Sequence, residues 1–167
     1  MMTIAEIFLP DYKLELATTR KILASVDMKL AEFKPHEKSM TMGRLATHVA
    51  EIPGWMNVCL VKHELDFAAG DFKPVILTTT EELLEKFDKG SAEAIEILSK
   101  ATDDMFAENW TMRSGNQIFF TLPKLQVVRT WVLNHHVHHR ALLGVYLRLN
   151  NIPLPSSYGP SADDSGM

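Results

Sequence analysis

Apolar residues recur at three- and four-residue spacings along most of this chain, in runs separated by helix breakers. The first run, "DYKLELATTRKILASVDMKL", predicts a helix with Leu14, Ala17, Ile22, Leu23 and Val26 on its apolar side. Pro10 either occupies its first turn or kinks a helix that begins near Thr3. "KPHEKSMT" breaks the pattern, and Ser39 or Thr41 is expected to cap the second helix, "MGRLATHVAEIPGWMNVCLVKHELDFAAG". Pro53-Gly54 should interrupt that helix and Gly70 should end it. "DFKPVILTT" reads as a connector, with Thr79 or Thr80 capping a third helix whose apolar side is Leu83, Leu84, Phe87, Ala94, Ile95 and Leu98, despite Gly90. Residues 108–121 carry Ser-Gly-Asn between short apolar pieces and read as a long loop or small hairpin. A last helix is expected from near Pro123 to about Asn150, followed by a Pro/Ser-rich tail over 151–167. Four substantial helices predict an all-α fold, most simply an antiparallel four-helix bundle, as one domain over 1–167.

Composition narrows the function. The net charge is −4, with no Lys/Arg run interleaved with aromatics, so no nucleic-acid footprint is expected. One cysteine, Cys59, excludes an internal disulfide and fits a reducing compartment. No apolar run is long enough to span a membrane, and no basic segment precedes the apolar N-terminal residues as in a signal peptide. A cytoplasmic protein is the expectation.

The chemistry concentrates in "RTWVLNHHVHHRALLGVYLRL", residues 129–149, which holds four of the seven histidines. With His135 set at zero and about 100° per residue, Val128, Trp131, Val132, Leu142, Tyr146 and Leu149 fall within about 60° of it. On that projection His135 and His139 lie inside the apolar stripe, and His136 and His138 are peripheral. Imidazoles at i and i+4 can reach one metal ion. The H-E-x-x-H glutamate is missing, so a zincin-type protease is not supported. A third ligand should come from another helix, and His48, on the margin of the face marked by Leu45, Val49 and Ile52, suits better than His36 or His63. A buried polar network or a pH-sensing pair are the competing readings.

Three blocks, "KPHEKSMTMGRLATHVAEIPGW" (34–55), "WVLNHHVHHRALLGVYLRLNNIPLP" (131–155) and "YGPSADD" (158–164), resemble the DinB/YfiT-like family of small bacterial metal-binding four-helix bundles. The resemblance implies a divalent metal, zinc or nickel, on His48, His135 and His139. Where many relatives continue the last motif as H-R-G-Q, this chain has Ala141 and Leu142. Family members include thiol-dependent S-transferases, a thiol-dependent isomerase and proteins assigned as hydrolases, and homodimers are common. The implied function is transfer of a low-molecular-weight thiol to a small electrophile, or a metal-assisted hydrolysis, with the metal activating water or thiol. The alternative is a non-catalytic metal-binding stress protein acting by sequestration or partner contact. Asn134 and Arg140 are candidates to orient a ligand ring or an anionic substrate, and Glu51, one turn from His48, is the nearest acid/base candidate, against its reading as a solvated charge. Tyr158, Asp163 and Asp164 would close the pocket only if the tail is ordered. Cys59 reads as a small core residue, and Trp55, Trp110 and Trp131 as core or interface anchors.

Overall fold

A computed structural model of the chain describes residues 2–70 and 75–166; the first residues of the expected 71–79 connector lie outside them. Helix α1 (Ile4–Ala24) starts at Thr3, leaving Pro10 inside it. Thr3 Oγ1 accepts from the Glu6 amide at 3.2 Å, and the Glu6 carboxylate accepts from the Thr3 amide at 2.8 Å. That reciprocal cap satisfies two donors that a helix start otherwise leaves unpaired. The buried line of α1 is Tyr12, Leu16, Thr19 and Leu23, whereas Leu14 and Ala17 point to solvent. Two polar-bearing residues on the inner face, and two apolar ones outside it, mask this line in the sequence.

Thr41 caps α2 (Met42–Glu51), and Thr79 caps α3 (Thr80–Lys100), where Glu82 closes a second reciprocal cap. Gly90 marks the place where α3 passes the turn at Ile52–Gly54. A Cβ there would lie 3.0 Å from the Gly54 nitrogen, so the approach depends on the missing side chain.

Pro53 ends α2 as expected, giving a 3₁₀ turn at Ile52–Gly54 and then a π-helical stretch at Asn57–Val61. The chain does not stay helical to Gly70. It becomes strand β1 (Glu64–Asp66), because that segment finds a backbone partner far along the sequence. Gly70, at φ 75°, ends only the short turn Phe67–Ala69. After α3 and the brief α4 (Asp103–Ala107), residues 109–123 form a hairpin of β2 (Asn109–Ser114) and β3 (Gln117–Pro123). β1 adds parallel to β2, with Leu65 opposite Met112, giving a three-stranded sheet in the order β1-β2-β3. Pairing shifts between Met112 and Arg113, a bulge that leaves Phe119 without an opposite residue. The architecture is therefore mostly helical with a small sheet; the purely helical four-helix bundle is not what forms.

The last helical run begins after Pro123 and ends at Asn150, as expected, but it is not uniform. It consists of α5 (Lys124–Val127), a π-helical stretch at Val128–Asn134, and α6 (His135–Leu149). Leu16, Leu23, Leu45, Val49, Leu83, Phe87, Leu98, Val132, Leu143 and Leu147 form the heart of a continuous core. No helix among the described residues is long and apolar enough to cross a membrane.

Tyr12 and Cys59 sit in this core as neutral species. Burial raises the Tyr12 phenol above its ordinary value and pushes the Cys59 thiol up to about 12 from 9.0. Above pH 9 the unfolded chain gives up the Cys59 proton that the folded chain keeps, so folding stability must fall as pH rises. Denaturant midpoints measured at about pH 8 and about pH 10.5 should show that fall, and Cys59→Ala should make it shallower.

Candidate metal centre

Three histidines converge where α2 meets α6. His48 and His135 bring their Nε2 atoms to 2.9 Å. The His139 ring centroid lies 4.4 Å from each of the other two rings. One ring nitrogen from each residue falls in a group whose members are all within 4.8 Å of one another. Two nitrogens bound to one ion at about 2.0–2.1 Å are at most ~4.2 Å apart, so closure needs only a small side-chain movement. His135 and His139 meet the requirement as i and i+4 neighbours on one helix. His48 reaches them from the last turn of α2.

The electrostatics favour the ligand form of each ring. Burial, then the neighbouring His139 and His135 and the Arg44 charge, lower His48 to about 4. Burial, then His135 and His138, lower His139 to about 4, and burial followed by His138 lowers His135. Neutral imidazoles keep a lone pair free at neutral pH. His139 also holds a buried Nδ1 with no hydrogen-bond partner among the described groups, while two Nε2 atoms at 2.9 Å need either one proton or one cation between them. The donor set therefore fits a divalent ion of borderline character, with no carboxylate or thiolate in the group.

The position of the pair on α6 differs from the helical projection. His136, expected at the periphery, is 1% exposed, with its ring between Tyr12 and Phe87 at 6.4 and 5.9 Å. Burial, then Arg140 and His135, push it down to about 3, and neither ring nitrogen has a partner among the described groups. His135 and His139 are only partly buried, and His138 is exposed. Two features displaced the projected stripe. Residues 128–134 are π-helical, so each turns the chain by less than the α-helical angle. Leu142 and Leu149, which helped to centre the stripe on His135, face solvent. The true buried line of α6, His136-Arg140-Leu143-Leu147, runs beside the pair, which occupies its flank.

The remaining candidates divide differently from expectation. Glu51 is not a solvated charge: it is 7% exposed and accepts from Arg44 at 3.3 Å. Asn134 is exposed at the end of the π-helical stretch. Arg140 turns away from the histidines, into the core. It donates to the Glu15 carboxylate and the Thr19 hydroxyl of α1, and to Tyr158 Oη at 2.8 Å. Tyr158 in turn donates to Glu15 at 2.9 Å. Asp163 accepts from Arg148 and the Leu154 amide, and Asp164 from the Ser156 amide. The tail is thus fastened to α1 and α6, so Tyr158, Asp163 and Asp164 brace the fold and do not cover the three histidines. His36 accepts from the Lys38 amide in its loop, and His63 pairs with Glu108 at 3.6 Å.

Trp55 and Trp131 prove to be neighbours of the site. Trp55 lies 5.3 Å from the His48 ring and 5.2 Å from His135, and Trp131 stacks on His135 at 6.0 Å. Beside them opens a cavity of about 220 Å³. Its walls are His48 and Trp55, Val58 and Cys59 of the first π-helical stretch, Leu65 and Phe67 after it, Trp110 and Met112 of β2, and Trp131. On the sheet side of this wall, Trp110 and Met112 fall in the segment expected as a long loop or small hairpin, whereas Leu65 lies on β1, which is recognisable only by its pairing.

Comparison with known proteins agrees with this architecture. The sequence model described as the DinB family matches residues 12–165. A DinB-like protein from Bacillus cereus superposes with a TM-score of 0.68 at 22% identity, over 92% of this chain and 97% of that one. YjoA, a DinB-like protein of Bacillus subtilis, superposes at 0.67 with 13% identity, over 87% and 95%. The uncharacterized protein YrdA of Bacillus subtilis (strain 168) is 21% identical over 157 residues, 94% of this chain and 89% of its own length.

Replacing Arg140 by Met should loosen the tail without emptying the histidine cluster. The expected readout is faster amide exchange across 152–166 with metal content unchanged, and a stability loss of about 1–3 kcal/mol from the unpaired Glu15 and Tyr158.

Proposed function

Because the chain belongs to the DinB family, we propose that it holds one zinc or nickel ion on His48, His135 and His139 and transfers a low-molecular-weight thiol to a small electrophile. The observation that carries this reading is the convergence of three neutral imidazoles, from two helices, at the side of an apolar cavity. His48, His135 and His139 would hold the ion as neutral ligands, and when bound it would supply Lewis acidity to acidify a thiol or water at neutral pH. The roles of the chain follow from placement. His135 and His139 are fixed on one rigid helix, so the bite between them does not depend on loop conformation. Trp55 and Trp131 pack against the rings and hold their orientation.

Cys59, the chain's only thiol, lines the cavity, but burial pushes it up to about 12, so it stays protonated and is not the nucleophile. The reacting thiol must then arrive as a substrate. Metal-assisted hydrolysis is the nearest variant of this reading, with water in place of thiol.

Untagged protein purified without chelator, and then equilibrated with zinc or nickel, should carry about one ion per chain by elemental analysis, and His135→Ala should carry at least tenfold less. The loaded protein should form S-conjugates from a bimane electrophile and a panel of thiols, or hydrolyse small esters, faster than His135→Ala. One bound ion with neither reaction above the variant's rate would replace this reading by the non-catalytic one, sequestration or partner contact.

A further inference from the structure

The cavity beside the three histidines is selective by its composition. Its indoles come from three different parts of the fold: Trp55 after α2, Trp110 on β2 and Trp131 before α6. Trp110 spends its only N–H on the Val58 carbonyl at 2.8 Å, which leaves its ring as the part available to a neighbour. Trp131 is held by stacking on Phe120 at 5.7 Å and 17°, so that wall is already in place without a ligand. Among the described residues, none that lines it carries a formal charge. The two lining groups able to ionise are Cys59, kept neutral by burial, and His48, which belongs to the metal cluster.

We propose that this cavity binds an uncharged apolar group of one to two fused rings, and that this group is the body of the electrophile. Size and chemistry both set the class. An apolar cavity of roughly 150 Å³ takes benzene, so about 220 Å³ takes a substituted ring or a bicycle. A carboxylate or ammonium placed there would give up water and meet no counter-charge on the described lining residues; only an ion held at His48 would supply one, and only to an anion. The ionic part of a cellular thiol is therefore kept outside, and the thiol approaches the histidines from elsewhere. His48 is the one residue shared by the cavity and the cluster, so a seated molecule presents its polar end there. The assignment to the electrophile rests on the thiol-transfer reading above; the assignment of an uncharged ring does not.

The test compares indole with indole-5-carboxylate, the same bicycle with one added anion, by calorimetry or saturation-transfer NMR on chelator-treated and metal-loaded protein. Indole should bind both forms, and on the chelator-treated form, where the comparison is decided, the carboxylate should bind at least about tenfold more weakly. Met112→Trp and Leu65→Trp, which fill the cavity from the sheet side, should each weaken indole by about tenfold or more, with the melting transition retained. Two variants are used so that one which fails to fold does not decide the matter. Equal affinity for the two probes, no indole binding, or indole binding untouched in a folded filling variant would overturn the proposal. Indole binding to the chelator-treated protein requires neither metal nor thiol. Failure there leaves the proposed reaction standing, and failure of the reaction leaves the cavity result readable.

Discussion

Helix α6 is required to serve two surfaces at once, and much of the molecule is arranged around that requirement. One line of its residues, His136-Arg140-Leu143-Leu147, is buried in the core, while His135 and His139, next along the chain from the first two of these, look out to the meeting point with α2. Adjacent residues on a helix point about 100° apart, so each histidine of the pair is locked to a core residue beside it. Any rotation of α6 that improved the metal geometry would drag His136 and Arg140 out of place. The cluster's precision is thus inherited from core packing rather than from a binding loop.

The same coupling explains two unusual features. His136 is a buried imidazole whose nitrogens find no partner among the described groups, a costly placement by itself. Its edge-on contact with Tyr12 and its packing against Phe87 supply dispersion and quadrupole attraction instead. Arg140 is a buried cation, tolerable because Glu15, Thr19 and Tyr158 surround its guanidinium with acceptors. The π-helical stretch ahead of α6 has the complementary task. It lets Val128 and Val132 stay buried while Trp131 reaches both the His135 ring and the cavity wall.

Local signals in the sequence were sufficient for much of the frame. Of the paired cap candidates, Thr41 and Thr79 serve, Pro53 marks the interruption, and the Pro/Ser-rich tail marks the stop near Asn150. What escaped was long-range or irregular. Glu64–Asp66 becomes a strand only because β2 is present to pair with it, and nothing in that tripeptide announces a partner near residue 111. The histidine pair was selected by a uniform helical projection that placed it in the middle of the buried stripe; it lies on the flank. The i, i+4 spacing, which survives an error in phase, kept His135 and His139 together, and His48, chosen from the margin of its own helix, lies beside them. His136 and Arg140 were misplaced because polar side chains do not announce burial. The aromatic cavity was illegible since its wall is assembled from four separated segments.

The knot of Glu15, Arg140 and Tyr158 also bears on how the chain is made. Its three members lie on α1, on α6 and in the segment after α6, so Glu15 meets partners 125 and 143 residues further along the chain. During synthesis α1 can meet α3, against which it packs and to which Arg20 pairs through Asp88, before Arg140 and Tyr158 are available. Such long-range closure raises the mean sequence separation of native contacts and slows folding relative to a bundle of neighbouring hairpins. Because the three histidines come from α2 and α6, this late knot fastens residues 152–166 onto a frame that does not need them to bring the cluster together.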